Sequence, residues 1–167
     1  IVLLAMNIKG YKNLMKLASI AQLEGFYYKP RIDKETLIAH NEGLIALTAC
    51  LHGGIPHLIL NNNMKDARAE TKKMLEIFGD RLYFELQDSG LKEQKKVNKG
   101  LKKLSEEFSV PLVATNDCHY LNREESFAHE VLLCIQTGRT INDPNRFKFA
   151  TDELYFKSPE EMQERFK

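Results

Sequence analysis

Two hydrophobic rhythms alternate along the chain. Short unbroken apolar runs mark buried strands, and longer stretches with an apolar residue every third or fourth position mark helices with one buried face. Residues 1–6 (IVLLAM) predict a first strand, and residues 11–23 a first helix with Leu14, Leu17, Ala18 and Ala21 on one side. A connecting stretch containing Pro30 leads to a short helix that starts near Asp33. Residues 44–50 (LIALTAC) predict the second strand. Met64–Phe78 reads as a helix whose Met64, Ala67, Thr71, Leu75 and Phe78 share one stripe, stopped by Gly79. Leu82–Gln87 is the third strand, and Lys92–Phe108 the third long helix with Val97, Leu101, Leu104 and Phe108 facing inward. Residues 111–116 (PLVATN) give the fourth strand, and residues 124–136 the helix that follows it.

This order predicts an α/β fold with parallel strands and crossover helices, closed as a barrel or left open. Residues 139–167 break the rhythm. They predict a loop, a short strand at LYF and a helix capped by Ser158 with Pro159 in its first turn. A strand that occupies the first residue implies that further sequence precedes it in the full-length protein.

Composition narrows the function classes. The net charge is +1, whereas a domain that holds nucleic acid mainly by its own charge is strongly basic. Any contact with DNA is therefore expected to be local. Cys50, Cys118 and Cys134 are too few and too scattered for a disulfide framework. No apolar run approaches the length of a membrane span, and no secretory leader opens the chain. The expectation is a cytoplasmic protein without a membrane partner.

In parallel α/β folds, ligands gather where strands end and loops begin. Those positions carry Asn7, Cys50 with His52, Gln87 with Asp88, and Asn116-Asp117-Cys118-His119. Residues two apart in extended chain point to the same side, so Asp117 and His119 can face one ion while Cys118 turns away. Cys50 would add a thiolate suited to zinc. A second reading stands beside this one: a turn aspartate, a surface histidine and a small buried cysteine. His52 reads as a loop residue, and His40, His57 and His129 as structural or solvated. Lys92, Lys95, Lys96, Lys99, Lys102 and Lys103 form a basic face, either a solvated crossover helix or a phosphate patch. Glu85 and Asp88 flank the end of the third strand without an assigned role. No Gly-rich phosphate loop and no Gly-x-Ser-x-Gly elbow is present.

Several stretches resemble a known family. GYKNLMKLASIAQLEGFYYKPRID, GLIALTACLHGGIP, FELQDSGLKEQKKVN, PLVATNDCHYL, HEVLLCIQTGRTINDPNRFKF and LYFKSPEEM are similar, across essentially the whole chain, to bacterial DNA polymerase III alpha subunits. The FYYKPRID and ATNDxHY words are the most specific. Within that family the stretch resembles the PHP (polymerase and histidinol phosphatase) domain. The resemblance implies part of a distorted TIM-like (β/α)7 barrel. Residues 1–138 would be the carboxyl-terminal part of this domain, and residues 139–167 its end and the connection toward the polymerase body. Two departures from the family pattern are Ser89, where many members have His, and His52-Gly53-Gly54, where they have a small residue, Gly and Glu.

Residue by residue, the family's metal-ligand motifs fall on Cys50, Asp117 and His119. The remaining ligands are expected outside this chain, and no catalytic residue and no DNA-binding residue is assigned within it. The resemblance implies zinc or manganese, up to three ions in the intact domain, with magnesium serving the parent DNA-directed DNA polymerase. The implied function is DNA replication, with the PHP site contributing 3′→5′ exonuclease or phosphoesterase chemistry. An alternative implication is a non-catalytic platform that supports the polymerase and docks a proofreading exonuclease subunit. Expected partners are DNA and the other holoenzyme subunits, including the sliding clamp. On this reading the fragment alone is inactive.

Overall fold

A computed structural model, which describes residues 1–167, places Val2–Ala5 (β1), Leu44–Leu47 (β2), Leu82–Gln87 (β3) and Leu112–Thr115 (β4) in one sheet in that order. The helices are Ile8–Leu23 (α1), Lys34–Ala39 (α2), Gly54–Leu60 (α3), Met64–Phe78 (α4), Lys92–Phe108 (α5), Ser126–Thr137 (α6) and Pro159–Arg165 (α7). The chain divides into two compact units. One is Ile1–Glu85 with Gly100–Val113, the other Leu86–Lys99 with Ala114–Lys167.

The first unit carries the apolar core. Leu44, Ala46, Phe78, Leu82, Phe84, Leu101, Leu104 and Val110 are all buried. The expected stripe of α4 is seen in Ala67, Thr71 and Phe78, and Thr71 satisfies its buried hydroxyl by donating to the Ala67 carbonyl at 2.9 Å. Helix α1 starts a turn earlier than its hydrophobic pattern indicates, because the Asn7 side chain accepts from the Gly10 N–H at 3.0 Å and caps it. Its buried face is Gly10, Asn13 and Leu17, while Ala18 is exposed. Asn13 earns its buried place by donating to the Glu42 carbonyl at 2.8 Å.

Strands β2 and β3 are parallel, with Ala46 opposite Leu82 and Leu47 opposite Tyr83. The expectation of parallel strands fails at β1, which pairs antiparallel with β2 from Val2 opposite Leu47 to Ala5 opposite Leu44. The cause is a backbone contact at the point where β1 becomes α1. The Met6 N–H donates to the Gly43 carbonyl at 2.9 Å. A Cβ on Gly10 would lie 1.9 Å from that same oxygen. This close approach ties the end of β1 to the beginning of β2, so the two strands must run in opposite directions. The four strands form a single mixed sheet, and closure into a barrel is not part of this structure.

In the second unit α6 is preceded by a 3-10 turn, Arg123–Glu125, with a reciprocal capping box between Asn122 and Glu125. Helix α7 begins as its sequence indicates, with Ser158 and Glu161 forming the box and Pro159 in the first turn. The expected LYF strand is reduced to one bridge, Tyr155 to Tyr120. The lysine-rich face of α5 is exposed at Lys92, Lys95, Lys96, Lys99, Lys102 and Lys103.

Candidate metal centre

Strand β2 ends at Leu47, three residues before the end its apolar pattern indicates. Glu85, buried in the middle of β3, explains the shortening. Its carboxylate accepts from the Ala49 N–H at 3.0 Å, and its own N–H donates to the Thr48 hydroxyl at 2.8 Å. Side-chain bonds thus replace the next rungs of the ladder. Ala49 turns into the left-handed region at φ 64°, a conformation that costs a residue with a Cβ about 1–2 kcal/mol. The turn closes with the Gly53 N–H donating to the Cys50 carbonyl at 2.8 Å. Cys50 is left as a half-buried free thiol, and His52 is exposed as the loop reading requires.

Asp117 and His119 follow β4 in the second unit. The Asn116 side chain donates to the Tyr155 carbonyl at 2.7 Å, and the His119 N–H donates to the Leu154 carbonyl at 2.7 Å. The backbone on both sides of Asp117 is therefore fixed. The two side chains do point the same way: Asp117 Oδ1 lies 3.3 Å from His119 Nε2. Cys118 turns aside, and its thiol lies 3.4 Å from the Asn116 carbonyl.

His129, on α6, belongs to the same neighbourhood, which the sequence pattern did not reveal. Its ring meets His119 edge-on at 5.2 Å and stacks on Phe149 at 5.6 Å, and Tyr120 lies at 5.4 Å. Phe149 also meets His119 edge-on at 4.9 Å. Burial, and then the neighbouring His119, push the pKa of His129 below its usual 6.5. Both effects favour the neutral imidazole. An open cavity of about 430 Å³ adjoins this cluster, lined among others by Tyr120, His129, Arg146, Lys148 and Phe149. The only hint in the sequence is helical spacing that places His129 near the start of α6. The partners on the 147–151 loop are set by tertiary folding.

The donor set present fits part of a coordination shell. A carboxylate oxygen and an imidazole nitrogen 3.3 Å apart can serve two positions on one ion. Stable zinc sites use three or four protein ligands, and no group of three or more His, Cys, Asp and Glu side chains gathers here. Cys50 belongs to the first unit and the Asp117–His119 pair to the second. His40 caps the end of α2, and His57 lies on α3 with Asn61 Nδ2 3.1 Å from its Nε2.

Comparison with known proteins sets this arrangement in context. Residues 1–89 match the model of the PHP domain family, a stretch that includes Cys50. DNA polymerase III subunit alpha of Borreliella burgdorferi is 52% identical over 166 residues, which is 99% of this chain and 14% of the relative. The subunit from Thermus aquaticus is 52% identical over 161 residues, 96% of this chain and 13% of its own length. That from Treponema pallidum is 48% identical over 167 residues, again 14% of its length. The chain thus spans about one-seventh of these relatives, and the aligned stretch takes in Asp117 and His119 as well. From its β1-to-β3 half, and with alpha subunits similar to it from end to end, the chain belongs to the PHP domain family.

Proposed function

We propose that this segment contributes to a metal-dependent phosphoesterase site, a 3′→5′ exonuclease, within a replicative DNA polymerase. Cys50, Asp117 and His119 act as metal ligands there, and zinc or manganese is the bound ion. The observation that carries the reading is the Asp117–His119 pair, whose ligating atoms face each other at 3.3 Å on a pinned backbone at a strand end. Bound ions would polarise a phosphodiester and an attacking water. The chain's own residues orient the imidazole. Asp117 steers the His119 ring, and Phe149 and His129 meet it edge-on. In the intact domain the segment forms part of the (β/α)7 barrel, with the other ligands supplied from outside residues 1–167. Magnesium serves polymerisation elsewhere in the protein, where DNA and the other holoenzyme subunits are partners.

The test is His119→Ala in the full-length polymerase, read for exonuclease activity, polymerisation and melting temperature together. Loss of one ligand is expected to lower exonuclease activity by a factor of roughly 10² or more, with nucleotide incorporation retained. Wild-type enzyme with full metal occupancy and no exonuclease activity would overturn the reading.

A second reading, a non-catalytic platform that docks a proofreading subunit, is favoured by a separate observation. Ile1, Val2, Leu4, Met6, Ile8, Tyr11 and Met15, along β1 and α1, are all exposed apolar residues. Under that reading His119→Ala lowers stability and polymerisation together and has no exonuclease signal to remove.

A further inference from the structure

The loop between α1 and α2 presents three consecutive aromatic side chains to solvent. Phe26, Tyr27 and Tyr28 are 55%, 63% and 81% exposed, although aromatic rings are the side chains that gain most from burial. This exposure is not the looseness of a frayed segment. The Tyr27 N–H donates to the Lys29 carbonyl at 3.1 Å, and the two residues form a bridge that closes the turn. A Cβ on Gly25 would lie 2.0 Å from the Arg31 carbonyl, so the two arms of the loop touch through a glycine. Asp33 caps α2 by accepting from the Thr36 N–H at 2.7 Å and holds the far end.

Tyr28 sits at the tip with φ 59°. A bulky residue in the left-handed region is uncommon, and such strain concentrates at functional positions. Its ring meets that of Tyr27 edge-on at 4.6 Å, so the two present faces at a fixed angle. The charged residues within the loop, Lys29 and Arg31, are both basic. Arg31 lies 5.1 Å over the Tyr27 ring, and neither Arg31 nor Lys29 has a carboxylate partner. Of the nearby acids, Asp33 is committed to its helix cap, and Lys34 takes up Glu70 at 2.6 Å.

Exposed ring faces interleaved with unpaired cations on a braced turn are the elements of a stacking platform for single-stranded nucleic acid. Bases stack on the rings, and the cations follow the phosphates. We propose that the 25–31 loop binds single-stranded DNA, with Tyr27 and Tyr28 as stacking surfaces and Lys29 and Arg31 as phosphate contacts. This contact does not depend on the metal reading and needs no metal ion.

The test uses the full-length polymerase in EDTA, so that a failure of the nuclease reading leaves the outcome unaffected. The probe is a single-stranded oligothymidylate carrying 5-iodouracil. It is photocrosslinked and mapped by mass spectrometry, with affinity followed in parallel by fluorescence anisotropy. Crosslinks are expected at Tyr27 or Tyr28. The Tyr27→Leu/Tyr28→Leu variant should lose them and bind about tenfold more weakly at unchanged melting temperature, whereas Tyr27→Phe/Tyr28→Phe should retain both. Lys29→Ala/Arg31→Ala should make the log–log salt dependence shallower by about 0.7 for each cation removed. Two results would overturn the proposal. One is the absence of crosslinks in the loop together with unchanged affinity in all three variants. The other is an affinity loss that only follows a fall in melting temperature, which would mean that the rings pack against another part of the protein.

Discussion

The two units of the chain are held together by different physics. In the first, strands β2 and β3 and helices α4 and α5 supply a dry core in which Leu44, Phe78, Leu82, Phe84, Leu101 and Leu104 are essentially without solvent contact. In the second, Leu86, Val97, Cys134 and Leu154 are the buried apolar residues, and charge does much of the joining. Glu153 stands at the centre of that network. Arg123, Lys157 and Arg165 all approach its carboxylate, and Lys157 is almost wholly buried. Tyr155 donates to Glu161 at 2.7 Å, and Arg123 donates to Asp152 at 2.8 Å. A core of the first kind rests on non-directional burial. A network of the second kind works only when every partner is present, because each ion left alone in a buried place keeps its desolvation cost.

This contrast can be broken by mutation. Phe84→Ala should be the most damaging change, about 3–5 kcal/mol by chemical denaturation, since it leaves a cavity among side chains that cannot collapse. Next comes Glu153→Gln, expected to cost roughly 3 kcal/mol by stranding Lys157. The paired change Glu153→Leu/Lys157→Met should recover most of that loss. If the double variant is no better than the single one, the network is not what holds the second unit. Gly10→Ala forces a Cβ against the Gly43 carbonyl and should cost about 1–3 kcal/mol, as overpacking does. Hydrogen exchange should then show the β1–β2 pairing opening before the rest of the sheet.

The smallest effect is one of pH and belongs to the second unit. Hydrogen bonds from the Ser158 N–H, and then from the Tyr155 hydroxyl, hold Glu161 below its usual 4.5. The folded state therefore favours the carboxylate. Its stabilisation is complete above the unfolded pKa and is lost as pH falls through the lowered folded value. Acid titration of the melting temperature should show this slope, and Glu161→Gln should flatten it.

Much of the first unit can be read directly from the chain. Helix α4, strand β3 and helix α5 lie where their apolar spacing puts them, because a stripe at helical period and a mostly apolar β run are each buried in one way. The candidate site was legible only in part. Alternation along an extended segment was enough to foresee that Asp117 and His119 face the same side. Nothing local could bring His129 and Phe149 beside them, since these residues come from a later helix and a later loop. Glu85 was visible as a polar residue in an apolar strand, but its role depends on Ala49 and Thr48, which are distant in sequence.

By itself, then, the sequence determined the order and type of the long helices and of β1 to β4, the start of α2 near Asp33, the cap at Ser158, and the family words that tie the chain to the PHP domain. All of these rest on interactions within a few residues or on whole-stretch similarity. Only the tertiary structure decided that β1 runs against β2, that β2 stops at Leu47, that three cations converge on Glu153, and that Tyr28 stands exposed in a strained turn. Each of these depends on a backbone approach or a charge pairing between residues far apart in the chain, where local pattern carries no information about distance.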